Sequence, residues 1–271
     1  MKYLLTGIIA VVFSYFQLNA QKTKGVYKEI GLFAGGANYK GDLAPNIIAK
    51  TTGPAIGLVY KWNLNDFVAF GLHGTFGVIT AADSNTEHLK PRNLSFRSSV
   101  IEFSPQFEFN FFRFGNKPNA KKMTPYLFTG LSIFYFNPMA KLNDEWHALQ
   151  PLSTEGQGIV EFAPKPYTLY QLAIPIGAGM KFRIAERWNI LVNTGFRTTF
   201  TDYLDDVSGT YVSGDSLSPL GERLADRSGE ISGSNIGREG HQRGNPDTKD
   251  WYIFGGVTIS HILDQGPCFS F

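Results

Sequence analysis

The stretch VIEFSPQFEFNFF, residues 100–112, constrains this chain more than any other. Ile101, Phe103, Pro105, Phe107, Phe109 and Phe111 fall on one parity, and Glu102, Ser104, Gln106, Glu108 and Asn110 on the other. A period of two over this length is a strand with one apolar and one strongly polar face. A soluble barrel or sandwich would turn the apolar face to its core. A barrel in a membrane would turn it to lipid and keep the polar face for the lumen.

The rest of the chain decides between them. The same alternation recurs in TLYQLAIPIGAGMKFRI from Thr168, WNILVNTGFRTTF from Trp188 and FVAFGLHGTFGVIT from Phe67. Weaker versions run from Tyr27 to Tyr39, Pro54 to Trp62, Tyr126 to Phe136 and Trp251 to Leu263, making eight strands. Their connections alternate in length. Asn63 to Asp66, Gly115 to Thr124 and Ala185 to Arg187 are short. Gly41 to Gly53, Ala82 to Asn93, Asn137 to Pro166 and Asp202 to Thr248 are long. Short periplasmic turns and long outer loops are the habit of membrane barrels. Tyr60, Trp62, Phe111, Phe112 and Trp188 near the short turns read as one aromatic girdle, and Tyr39, Tyr203 and Trp251 as the other. The expected fold is an all-β, eight-stranded antiparallel outer-membrane β-barrel.

The N-terminus fits that destination. Lys2, an apolar run from Leu4 to Phe16 and Leu18-Asn19-Ala20 read as a signal peptide, residues 1–20, cleaved after Ala20. The mature chain, 21–271, is then one barrel domain. Of 25 basic residues, losing Lys2 leaves 24 against 23 acidic, so the charge invites no nucleic acid. One cysteine, Cys268, rules out an internal disulfide framework and a cysteine-based zinc site.

Eight strands enclose a space that side chains fill. The polar parity collects Glu29, Glu102 and Glu108 against Lys61, Lys181, Arg183 and Arg197. Buried charges need partners, so these seven are expected to pair as a plug, leaving no conducting pore. His73 is expected in the lumen as a hydrogen-bonded packing residue. His88, His147 and His241 fall in loops without a nucleophile at a recognisable spacing, and no G-x-S-x-G occurs. No catalytic residue, cofactor or small-molecule substrate is expected. Asp202, Asp205 and Asp206 in TDYLDDVSG do not match the calcium spacing D-x-D-x-D-G, and read as carboxylates capping local amides. The loop at 203–248, rich in Gly, Ser and charge, suggests mobility, with a cover or a partner-ordered loop also open, and leaves a cell-surface receptor or adhesin acting through the long loops as the alternative function.

Several segments, in order along the mature chain, resemble PorG-type outer-membrane barrels of the type IX secretion system of Bacteroidota. They are EIGLFAGGANYKGDL (with Asp42), FRSSVIEFSPQFEFNFF, TPYLFTGLSIFYFNP, QLAIPIGAGMKF, RTTFTDYLDDVSGTYV (with Asp202, Tyr203, Asp205 and Asp206) and RGNPDTKDWYIFGGVTI. The resemblance implies a scaffold in protein secretion and gliding motility, anchoring a periplasmic ring-forming lipoprotein and its ring partner to the outer membrane. An even strand number puts both termini on the periplasmic side. The basic second turn (Arg113, Lys117, Lys121, Lys122) is then a candidate partner contact. Asp264, Gly266 and Pro267 are expected to end the last strand. In the periplasmic tail 264–271 that follows, Cys268 is a candidate for an intermolecular disulfide.

Overall fold

The computed structural model describes residues 27–115, 119–161 and 163–265, with the backbone alone at 264 and 265. The leader 1–20, Lys117 and Cys268 lie outside the described residues. Among the described residues ten strands form: β1 (Tyr27–Lys40), β2 (Gly53–Asn63), β3 (Val68–Ala82), β4 (Ser95–Asn110), β5 (Met123–Gly130), β6 (Ser132–Leu142), β7 (Glu145–Ala148), β8 (Tyr170–Ala185), β9 (Trp188–Thr199) and β10 (Trp251–Gln265).

All of these but β7 make a closed antiparallel ring of eight strands, two of them counting as one. β5 and β6 are one strand in a continuous register, since Gln106 faces Gly130 on β5 and Phe103 faces Ile133 on β6. The ladder breaks at Leu131, opposite Pro105, which has no N–H to donate. β8 pairs with both pieces in a register that is likewise unbroken. Closure comes from β1, which pairs with β2 on one side and β10 on the other. A ring leaves no open edge, as hydrocarbon requires.

The faces settle what surrounds the ring. Leu32 is 66% exposed, Ile176 57% and Phe103 50%, whereas Glu102 is 1% and Glu108 2% exposed. A water-soluble protein does the reverse. Each such side chain gains about 1.5–3 kcal/mol on leaving water, so a belt of them fits lipid as its solvent.

Three expectations need correction. Asn137 does not open a loop, because β6 runs on to Leu142 and folds back as β7 through a turn with Asn143 and Asp144 at positive φ. Asp264 does not end the last strand, because β10 stays paired with β1 through Gln265. The outer girdle is also different. Tyr39 is fully buried and Tyr203 stacks on Tyr167 at 4.7 Å. At the loop end the outward aromatics are Tyr170, Trp146 and Phe200, all well exposed, with Trp251 beside them half-buried.

The loop at 203–248 is a built cap. It contains two short helices, α1 (Pro219–Ala225), N-capped by Ser218, and α2 (Gly229–Ser232). Leu204, Val207 and Leu224 are buried in the main apolar cluster together with Tyr39, Phe134, Phe136 and Tyr252 from the barrel wall. Large apolar side chains are sparse in this loop; Leu204, Val207 and Leu224 enter the cluster, whereas Ile231 and Ile236 stay exposed.

Candidate functional site

The lumen is filled in two storeys. In the middle, Lys61 and Lys181 reach Glu108 at 2.9 and 2.6 Å from opposite sides, all three 2% exposed or less at the side chain. Arg197 Nε donates to Glu102 Oε2 at 3.2 Å, and Tyr252 Oη donates to the same oxygen at 2.6 Å. Strand alternation brings these groups inward, and barrel closure sets β2, β4 and β8 across from one another. Above them, Phe134, Phe136, Tyr252 and Phe254 close the bore with ring contacts of 5.1–5.8 Å. These inward aromatics explain the weak alternation of the fifth strand, where both faces are apolar. The lumen cavity beside His73 holds about 20 Å³, room for about one water. His73 Nε2 faces it buried and without a hydrogen-bond partner, contrary to the expectation for this residue.

Two of the seven expected charges depart from the paired plug. Glu29 accepts from Asn63 Nδ2 (2.8 Å) and Ser260 Oγ (2.5 Å), which are neutral donors. Arg183 stands apart at the turn end. Its Nη1 donates to the Gly115 carbonyl and its guanidinium lies over the Phe114 ring. Its Nε and Nη2, and nearby Tyr27 Oη, are buried with no hydrogen-bond partner. Without Arg183 the lumen holds three acids against three bases, so the seventh charge is the surplus one. The surrounding turn presents Arg113, Lys121 and Lys122 to solvent.

The loop end is sealed by a second buried network that only partly involves the motif residues. Asp206 accepts from Thr154 Oγ1 (2.5 Å) and Tyr167 Oη (2.6 Å). Asp202 accepts from Ser208 Oγ at 2.7 Å, and Asp42 from the Asn245 amide at 3.0 Å. Asp205 accepts from the amides of Val207 (3.0 Å) and Leu43 (3.3 Å). Asp205 therefore caps backbone amides, locally and across loops, as Asp42 does, whereas Asp202 and Asp206 accept from side-chain hydroxyls. Burial pushes Asp202 up to about 7 and Asp206 to about 6, and raises Asp42, Asp205 and Asp250. Among the described residues no three His, Cys, Asp or Glu side chains converge as metal ligands.

Other members of this network are not legible in the sequence. Arg243, buried, donates to Glu155 Oε1 at 3.0 Å and to the Asp206 carbonyl at 2.6 Å. Arg92 grips Asp83 through two bonds of 2.7 and 2.8 Å and donates to the carbonyls of Arg243 and Asp42. Nothing in spacing links Asp83, Arg92, Glu155 and Arg243, which belong to three separate loops.

A closed eight-stranded ring, apolar outside and plugged inside, defines an outer-membrane β-barrel. The chain belongs to the family described as "Domain of unknown function (DUF6089)", which it matches over residues 3–221. No curated protein matches it. Among solved structures it is similar to Neisserial surface protein A (9% identity, TM-score 0.44, covering 88% of this chain and 99% of that one). It is also similar to Ail, the attachment invasion locus protein of Yersinia pestis (9%, 0.39, 89% and 99%). The outer membrane protein OprG from Pseudomonas aeruginosa is a third (9%, 0.37, 89% and 100%).

Proposed function

We propose that this barrel is a non-catalytic scaffold of the type IX secretion and gliding machinery, with its short turns in the periplasm and its capped loops at the cell surface. One observation carries the reading beyond the sequence resemblance: the bore is blocked by a paired charge cluster and an aromatic layer, so activity has to reside at a face of the barrel. The turn end offers Arg113, Lys121 and Lys122 to solvent, and beneath them Arg183 keeps an unspent guanidinium edge. Such a face suits acidic groups on a periplasmic ring-forming lipoprotein or its ring partner. Export after cleavage at Ala20 and a disulfide from Cys268 to a ring protein belong to the same reading.

The test replaces Arg113, Lys117, Lys121 and Lys122 by Glu in the full chain in its native envelope. Recovery of the ring lipoprotein with the barrel should fall and secretion should drop, with the barrel still folded. Unchanged ring recovery and secretion would refute the contact. Non-reducing gels with Cys268→Ser test the tether: a higher band should vanish with reductant or the substitution.

A further inference from the structure

A cleft of about 850 Å³ opens at the loop end, between the loop after β1, the loop after β3 and the stretch leading into β10. Its size suits an organic ligand or a headgroup rather than a single ion. Its floor is rigid. Arg92 and Arg243 line it, but both guanidiniums are committed, to Asp83 and to Glu155 with neighbouring carbonyls. Its rim is not committed in this way. Lys40, His88, His241 and Lys249 all line the cleft and are exposed. Lys249 Nζ donates to the Pro246 carbonyl at 3.0 Å, and Lys40 Nζ lies 5.7 Å from the centre of the Trp251 ring. The lining has one carboxylate, Asp42, and both its oxygens already accept the Asn245 amide, at 3.0 and 3.2 Å. The lining is therefore net cationic, with Lys40 and Lys249 on the rim and Arg92 and Arg243 on the floor against the one carboxylate of Asp42.

Position selects the ligand. Lys40 and Trp251 face each other as the outermost pair between β1 and β10. Phe196 packs against Trp251, with ring centres 6.2 Å apart, and the apolar belt begins directly below. Tryptophan at the end of a membrane strand marks the headgroup level. At that level, in a surface-facing leaflet, the anionic groups within reach of lysine are headgroup phosphates.

We propose that this cleft binds the phosphorylated sugar headgroup of an outer-leaflet glycolipid, with Lys40 and Lys249 on phosphate and His241 beside them. The inference rests on the loop end facing the outer leaflet and is independent of any secretion partner. The site would fasten a lipid to the seam where β1 meets β10.

The experiment uses the full chain folded in detergent and titrated with bisphosphorylated hexaacyl lipid A, with bound lipid counted by native mass spectrometry. Comparison titrations use dephosphorylated lipid A and inorganic phosphate. The variants are Lys40→Gln with Lys249→Gln, and His241→Gln, each checked for the heat-modifiable folded band on gels. The wild type should bind bisphosphorylated lipid A, and the double variant about tenfold more weakly, as for loss of charged hydrogen bonds. Equal binding of the dephosphorylated lipid, or folded variants that bind as well as wild type, would overturn the proposal. Displacement of the lipid by millimolar inorganic phosphate would overturn the headgroup assignment in favour of a free phosphate.

Discussion

Tyr39 offers a sharp test of how the cap is held. Its Oη lies 2.6 Å from Asp205 Oδ2 and 2.8 Å from Asp250 Oδ1. One hydroxyl carries one hydrogen, so it donates to only one of the two. The other contact needs a hydrogen from the carboxyl side. Asp205 already accepts two backbone amides, which suits a carboxylate. Asp250 Oδ2 accepts the Leu204 amide at 2.9 Å, leaving Oδ1 to carry the proton. Burial raises Asp250, and the charge of Asp205 raises it further. Asp250 is thus the neutral acid, donating to Tyr39, and Tyr39 donates to Asp205.

Asparagine then acts differently at the two positions. In Asp250→Asn, Nδ2 replaces the acidic O–H toward Tyr39 and Oδ1 still accepts Leu204, so the cost should stay within about 1 kcal/mol. In Asp205→Asn, an NH2 must oppose a donor, either Val207 N–H or the pair Leu43 N–H and Tyr39 O–H. That should cost about 1–3 kcal/mol, or roughly 5- to 150-fold in cap opening. Amide hydrogen exchange in micelles reads this at Leu43, Leu204 and Val207. Protection at Leu43 and Val207 should drop in Asp205→Asn and hold in Asp250→Asn. Equal losses in both variants, or none in Asp205→Asn, would refute the proton assignment.

Other outcomes follow from the same structure. Glu108→Gln strips the counter-charge from two buried lysines and should cost about 3–5 kcal/mol, measured by urea unfolding in lipid vesicles with gel mobility as the readout. The raised carboxyls at Asp202 and Asp206 mean that the folded cap binds protons more tightly than the unfolded chain. Their stabilisation is complete below about pH 4, the unfolded range, and is lost as pH rises through about 6 and 7. Exchange in 203–248, corrected for intrinsic rates, should therefore speed up between pH 5 and pH 8, and a flat profile would contradict the shifts. Gly35 permits the close approach of β1 and β10, since a Cβ there would lie 2.1 Å from the Gly255 carbonyl oxygen. Gly35→Val should reduce the folded, heat-modifiable fraction, and a normal yield would argue against a tight seam.

The sequence by itself determined the barrel. Strand alternation is a local property with a period of two, so Ile101 to Phe111 declared their faces without any partner. The alternating lengths of the connections then pointed to a membrane barrel, and the inward parity placed Lys61, Glu108 and Lys181 among seven inward charges without saying which would pair. What alternation cannot carry is how far apart two inward groups sit along the bore. Arg183 and Glu29 share the inward parity of Glu108, yet Arg183 ends beside Phe114 and Glu29 among neutral donors. Only strand tilt and closure decide that. The cap was less legible still. Asp83, Arg92, Glu155, Arg243 and Asp250 are spread over three loops, where no periodicity operates. Their meeting depends on the barrel rim bringing those loops over one opening. Desolvation there selects which charges pair and which carboxyl keeps its proton.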